Sequence, residues 1–168
     1  MIDYRDARPE DGEAIGRMAA ESFVDTFGHL YAPADLATFL GQLTKGLPQE
    51  ICDPRYRVHV ALDGEAIAGF AKFAHASALP APSSPADCEL KQLYVLPAYK
   101  GTPVARTLMD WTMEQARAGG ATRIVLSVFA ENVRAQRFYA RYGFAEIGFA
   151  PFAVGEQIDD DRIWSCDL

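Results

Sequence analysis

The sequence predicts a single α/β domain in which helices flank one central mixed sheet. Three observations carry that expectation. Apolar residues alternate between a period near two and a period near 3.6 along the chain, so strands and helices are interleaved. The most strand-helix-strand-like segment lies in the second half, and open sheets of that kind bind ligands where strand ends part. The length of 168 residues, with 49% hydrophobic and 23% charged residues, is that of an ordinary globular domain. By size scaling, such a chain exposes about 8,200 Å² when folded and buries about 69% of its unfolded surface, enough for a full core.

Each element follows from its own pattern. Residues 2–7 read as a short first strand, and Arg8-Pro9-Glu10-Asp11 as a helix start, with proline and acids in the first turn. Ala14, Ile15, Met18, Ala19, Ser22 and Phe23 form one face of that helix. A second helix is expected from about Ala34, through Leu36, Phe39, Leu40 and Leu43, to an end near Gly46-Leu47-Pro48. Tyr56, Val58 and Val60 alternate as a strand, Asp63-Gly64 is the strongest hairpin signal, and Ala66 to His75 returns. The proline-rich run 76–87 is expected to be a surface flap. Residues 89–96 form a strand, 97–102 a turn, and Pro103 opens a helix that ends at Gly119-Gly120. Residues 123–129 form an apolar strand, Asn132 caps a short helix to about Tyr142, and Gly143 stops it. Strands at about 144–149 and 163–168 complete a count of six to seven strands and about four helices.

Charge and cysteines narrow the function. A net charge of −7 and a pI near 4.9 oppose binding to a phosphate backbone, so no nucleic-acid partner is expected, although a local basic loop can hold a small anion. Cys52, Cys88 and Cys166 form no CxxC pair and no metal spacing with His29, His59 or His75, so no metal is expected and a reducing cytoplasm suits them. The N-terminus lacks a basic and apolar leader, and no apolar run approaches the roughly 20 residues of a membrane span. The expectation is a cytoplasmic protein without a membrane partner, monomeric or homodimeric.

The chemistry is carried by the second half. Leu93-Tyr94-Val95-Leu96-Pro97 followed by Lys100-Gly101-Thr102-Pro103-Val104-Ala105 is a strand running through a tight turn into a helix, whose unpaired amides suit a diphosphate. Downstream, Asn132, Ala135, Phe138, Tyr139, Gly143 and Phe144 fall at the spacing N-x-x-A-x-x-F-Y-x-x-x-G-F. These two stretches resemble, in order and separation, the cofactor motif and the following signature of the GNAT superfamily of acetyltransferases. The resemblance implies a mostly antiparallel sheet, splayed in the middle, with acetyl-CoA as cosubstrate held at the splay. On this reading the backbone of Leu93, Tyr94 and Val95 pairs with the pantetheine arm, and the amides of Lys100 to Ala105 face the diphosphate. Arg106, Arg134 or Arg137 reaches the nucleotide phosphates or faces solvent, and Asn132 bonds the cofactor, caps its helix, or does both.

The sequence departs from that pattern at one point. Pro103 stands where the family has its middle glycine, and proline has no N–H, so one diphosphate donor is missing. Lys100 stands where Gln or Arg is usual and keeps a positive charge.

Acetyl transfer to nitrogen needs a neutral amine, whereas an alkylammonium with a pKa of about 10.4 is protonated at neutral pH. A carboxylate can take that proton. The resemblance gives this role to Glu89 and gives protonation of the leaving thiolate to Tyr139; the alternatives are a solvated strand-start charge and a core-packing ring. Residues 23–31 resemble the stretch between the first helices in a branch that includes polyamine acetyltransferases, which makes His29 and Tyr31 candidates for substrate contact. Asp159-Asp160-Asp161, expected at the last hairpin turn, suits a cationic acceptor or is a solvated loop. The expected function is acetyl transfer to a small primary amine, polyamine-like, by direct transfer. A protein N-terminus or an aminoglycoside is an alternative acceptor. A non-catalytic acyl-CoA-binding or protein-interaction module is the alternative that Pro103 leaves open.

Overall fold

A computed structural model of the chain describes residues 1–168. The strands are β1 (Ile2–Asp6), β2 (Tyr56–Asp63), β3 (Ala66–Ala74), β4 (Cys88–Val95), β5 (Arg123–Phe129), β6 (Ala145–Val154) and β7 (Gln157–Asp167). The helices are α1 (Gly12–Phe27), α2 (Pro33–Ile51), α3 (Val104–Ala118) and α4 (Val133–Ala140). The seven strands form one sheet in the order β1-β2-β3-β4-β5-β7-β6. Every neighbouring pair is antiparallel except β4 and β5, which are parallel.

Alternation along the strands divides the core in two. One face packs Val58, Val60, Leu62, Ile67 and Phe70 under Ile15, Met18 and Ala19 of α1 and Leu47 of α2. The opposite face packs Ala71, Phe73, Leu90, Ile124, Leu126 and Val128 under Val104, Leu108, Met109 and Met113 of α3, with Phe138 and Tyr139 of α4 at its border. The folded chain exposes 8711 Å², close to the size-scaled expectation. No helix is long and apolar enough to cross a membrane.

Two boundaries differ from the sequence reading. The second helix runs to Ile51 and carries Pro48 in its interior. A Cβ on Gly12 would lie 2.8 Å from Pro48 Cα, and one on Gly16 3.0 Å from the carbonyl oxygen of Thr44. The two glycines therefore let α1 press against α2 where proline removes a helical hydrogen bond, and tertiary packing overrides the breaker. The last two strands are also longer than expected, meeting at a Gly155-Glu156 turn where Gly155 has φ +59°. The run Asp159-Asp160-Asp161 consequently lies inside β7 and not at a turn. Strand alternation then separates its three side chains, with consequences for the site.

Candidate active site

The cleft originates in the irregular pairing of β4. Lys72 is opposite Gln92 and Phe73 is opposite Leu90, so Lys91 is an extra residue on β4 and forms a bulge. A bulge bends its strand and increases the local twist. On the other side, β4 and β5 share the pairs Cys88 with Ile124 and Glu89 with Val125, and then diverge. The gap opens into a cleft of about 1580 Å³ that runs through the sheet from the α3–α4 side to the α1–α2 side.

The α3–α4 end has the properties of an anion site. Lys100, Gly101, Thr102, Pro103, Ala105 and Arg106 line it at the start of α3. Gly101 has φ +89°, a conformation that favours glycine, and nothing would meet a Cβ there, so the turn leaves open space beside its backbone. Pro103, at φ −63°, is the helix cap and fits that backbone without strain. The first-turn amides of α3 have no partner within the helix and carry its positive dipole end. Val104 is buried in the core, and its amide makes only a long 3.4 Å contact with Thr102 Oγ1. Arg106, Arg134, Arg137 and Arg141 line the cleft. The Lys100 ammonium is turned to Asp25 Oδ2, 2.5 Å away on α1, so its charge is shared with that carboxylate. Asn132 Oδ1 accepts from the Ala135 amide at 3.2 Å, which is the capping bond.

The residues present fit acetyl-CoA. The β5-facing edge of β4 from Lys91 to Val95 has no sheet partner, as pairing to an extended pantetheine arm requires. The cationic rim and the start of α3 match phosphate groups.

The α1–α2 end is acidic and aromatic. Glu89, Gln92 and Tyr94 face it from β4, Ser127 and Phe129 from β5, Phe152 from β6, and Asp159 and Asp161 from β7. Phe23 stacks on Tyr31 at 5.8 Å and lies 4.6 Å from Phe39, while Phe27 meets Phe129 edge-on at 6.1 Å. Glu89 is 3% exposed. Its Oε2 accepts from Ser77 Oγ at 3.1 Å and from the Ala78 amide at 3.0 Å, and its Oε1 pairs with Lys91 at 3.0 Å. Asp159 is buried and bonds the Tyr31 hydroxyl, while Asp160 turns to the other face and pairs with Arg162 at 2.6 Å. Asp161 accepts from Ser127 Oγ at 2.9 Å. Burial lifts its carboxyl to about 6; the Ser127 bond opposes that rise, and the charges of Asp159 and Asp160 add to it. Lys72, buried beneath α2, bonds Glu50, and its burial lowers the ammonium pKa. Gln92 Oε1 is buried without a partner.

Two tyrosines lie between the ends. Burial pushes the Tyr94 hydroxyl up to about 12; the neighbouring Gln92 side chain opposes the rise, and the charge of Asp161 adds a smaller part to it. Tyr139 is shifted upward as well, first by burial and then by Tyr94. A phenol held protonated in this way can donate its proton.

The cleft thus gathers Glu89, Tyr139, Tyr94, Leu93, Val95, Asn132 and Tyr31 from different elements. It does not include His29, which is exposed on the short turn 28–30, whereas Tyr31, just after that turn, is buried and lines the cleft. Val104 also contributes its side chain to the core and not to the cleft. Sequence reasoning missed Gln92 and Ser127 as lining residues, and took Asp161 with its neighbours as an acidic run for a cationic acceptor without separating it from Asp160. The signal for Asp161 was the alternation Asp159, Asp161, Ile163, which is that of a half-buried strand.

The chain matches the acetyltransferase (GNAT) family over residues 12–144. It is 32% identical over 160 residues to an uncharacterized N-acetyltransferase of Mycobacterium bovis, covering 94% of this chain and 98% of that protein. Over 61 residues it is 36% identical to the aminoalkylphosphonate N-acetyltransferase of Salmonella typhimurium, covering 36% of this chain and 40% of that protein. Among solved structures, the PaiA N-acetyltransferase of Thermoplasma acidophilum, in complex with coenzyme A, is similar with a TM-score of 0.78 at 20% identity, covering 100% of this chain and 99% of that one. The yncA structure from Salmonella typhimurium, with its cofactor acetyl-CoA, has a TM-score of 0.69 at 20% identity, covering 99% and 94% of the two chains. At such identities the structural likeness establishes the fold.

Proposed function

The chain belongs to the acetyltransferase (GNAT) family, and from that premise we propose that it moves an acetyl group from acetyl-CoA to a primary amine of a small, polyamine-like molecule by direct transfer in a ternary complex. The observation that carries the acceptor class is the α1–α2 end of the cleft, where Asp159 and Asp161 face inward beside aromatic rings. A cationic chain with aliphatic spacers matches both features. The orphaned Gln92 Oε1 adds an acceptor for an N–H of the substrate.

Bound acetyl-CoA supplies the activated thioester. Leu93, Tyr94 and Val95 offer their unpaired backbone edge to the pantetheine arm, and the turn from Lys100 to Arg106 takes the diphosphate, with Asn132 beside it. A cleft carboxylate, for which Glu89 is the family's position, takes the proton that keeps the amine from attacking. Tyr139 gives a proton to the departing sulfur. No cysteine lines the cleft, so a covalent acetyl-enzyme has no thiol nucleophile there.

Pro103 favours a second reading, an acyl-CoA-binding module without turnover, because it removes one donor from the diphosphate turn. A thiol-release assay with monoamines, diamines, triamines, an aminoglycoside and a peptide amino terminus separates the two. Turnover is expected to be fastest with amines that carry a second ammonium. Acetyl-CoA binding in calorimetry with no thiol released on any amine supports the binding module.

A further inference from the structure

Three carboxylates reach the acceptor end of the cleft, and their hydrogen-bond partners set them apart. Both oxygens of Glu89 are engaged, Oε2 by the flap at Ser77 and Ala78, Oε1 by Lys91. Both oxygens of Asp159 are engaged too, Oδ2 by the Tyr31 hydroxyl and Oδ1 by Gln157 Nε2 at 3.1 Å. Asp161 has a hydrogen bond to Oδ2 alone, from Ser127, and no ion pair, which leaves Oδ1 free in the cleft wall. Ser127 in turn fixes the carboxylate's orientation.

We propose that Asp161 is the catalytic base, its Oδ1 taking a proton from the acceptor ammonium, and that Glu89 serves instead to tie the flap to β4. The proposal rests on the reading of this cleft as a site of amine acetylation. The proton balance is complete with groups already present. Asp161 removes one proton from the ammonium and becomes a neutral carboxyl. The nitrogen bonds to the acetyl carbonyl carbon, the carbon–sulfur bond breaks, and the sulfur leaves with the proton of Tyr139. The second nitrogen proton restores Tyr139, and Asp161 returns its proton to water.

Position favours this assignment. Asp161 from β7, Tyr94 from β4 and Tyr139 from α4 all line the one cleft. Base and acid therefore reach the same cleft from different elements. The groups around Asp161 are Asp159 on the same face of its strand and Asp160 on the opposite face, Tyr94 from β4, Tyr31 from the α1–α2 connection and neutral Ser127 from β5; across the ladder β6 presents Ala150, which does not titrate. Glu89 and Lys91 from β4 and Lys72 from β3 are the other charged groups at this end of the cleft, and Lys100, Asp110 and the four arginines lie toward its α3–α4 end. Burial holds Asp161 near neutrality, where a base balances its ionised fraction against its strength.

The test is the pH profile of kcat/KM for the best amine, measured on wild type, Asp161→Asn, Ser127→Ala and Glu89→Gln, with acetyl-CoA affinity read by calorimetry. Wild type is expected to lose activity on the acid side with an apparent pKa of about 6. Asp161→Asn is expected to lower kcat by about 10²- to 10⁴-fold, abolish that limb and keep acetyl-CoA affinity. Ser127→Ala is expected to move the limb upward, because its hydrogen bond favours the charged carboxylate. Glu89→Gln is expected to keep the limb. Wild-type kcat in Asp161→Asn, or a raised KM with kcat and limb intact, overturns the proposal while leaving amine acetylation standing, as does a limb lost in Glu89→Gln. A wild type that acetylates no amine overturns both.

Discussion

Replacing Glu89 by glutamine keeps the side chain's shape and removes its charge, and the surroundings allow the cost to be worked out. Two hydrogen bonds now end on a buried carboxylate oxygen, from Ser77 Oγ at 3.1 Å and the Ala78 amide at 3.0 Å. Hydrogen bonds to a charged group contribute about 1.5–3 kcal/mol and neutral ones about 0.5–1.5, so each loses about 1 kcal/mol. The glutamine amide also faces the Lys91 ammonium, whose side chain is 28% exposed, and solvent screening limits that loss to less than about 1 kcal/mol. The expected destabilisation is about 2–3 kcal/mol, which at this chain length lowers the melting temperature by roughly 5–10 °C. The loss should concentrate in the flap 76–87, so amide exchange at Ala78 accelerates more than exchange in β3. Thermal unfolding with residue-resolved hydrogen exchange reads both effects, and a cycle with Ser77→Ala isolates the coupling. A wild-type melt together with unchanged exchange at Ala78 would refute the argument that Glu89 holds the flap.

Other outcomes follow from the same geometry. Pro103→Gly adds one N–H to the diphosphate turn and should tighten acetyl-CoA by up to about tenfold, at a cost of about 0.4–1 kcal/mol in stability; calorimetric titration showing equal or weaker binding would contradict it. Tyr139→Phe removes a hydroxyl that has no hydrogen bond to the protein, so turnover should drop about 10²-fold while the melt holds; a large fall in melting temperature with activity per folded molecule retained would make Tyr139 a packing residue. Asp161 has its folded pKa raised from 3.8 to about 6. The folded state therefore binds more protons than the unfolded chain between those values. Its favourable contribution is complete below the lower value and is lost as pH rises through the upper. Asp161→Asn should accordingly stabilise the protein by about 1–2 kcal/mol at neutral pH, after allowance for partial exposure, and by little near pH 4. Denaturant midpoints at the two pH values would show it, and an equal effect at both would contradict it.

The fold was legible where local chemistry and tertiary packing agree. Asp63-Gly64 made its hairpin, Asn132 capped its helix, and the apolar run of β5 became an interior strand. Legibility failed where a distant partner decides. Pro48 reads as a stop because proline costs a helical bond, yet α1 packs on that turn through Gly12 and Gly16, which lie more than thirty residues away in sequence. The aspartate run reads as a turn because three adjacent acids resemble a solvated loop; burial on one face of β7 depends on Tyr31 and Ser127, which only the folded sheet brings there. Glu89 was visible as a cleft residue, but its engagement by Ser77 and Ala78 depends on how the proline-rich flap folds back. His29 and Tyr31 were indistinguishable by spacing, and the turn between α1 and α2 separated them.

The place of β7 in the sheet carries a consequence for biosynthesis. It is the last strand in chain order, yet it lies between β5 and β6 and bonds both. While the chain is being made, β6 emerges with no strand to pair with, and β5 presents an unpaired edge. The helical half and β1 to β4 have their partners earlier. The strand that completes the sheet is also the one that brings Asp159 and Asp161 into the cleft, so the α1–α2 end of the cleft forms in the same event as the final zipping of the sheet. A nascent chain that has already formed the turn from Lys100 to Arg106 still lacks the strand that carries Asp159 and Asp161, so the two ends of the cleft are completed at different stages of synthesis.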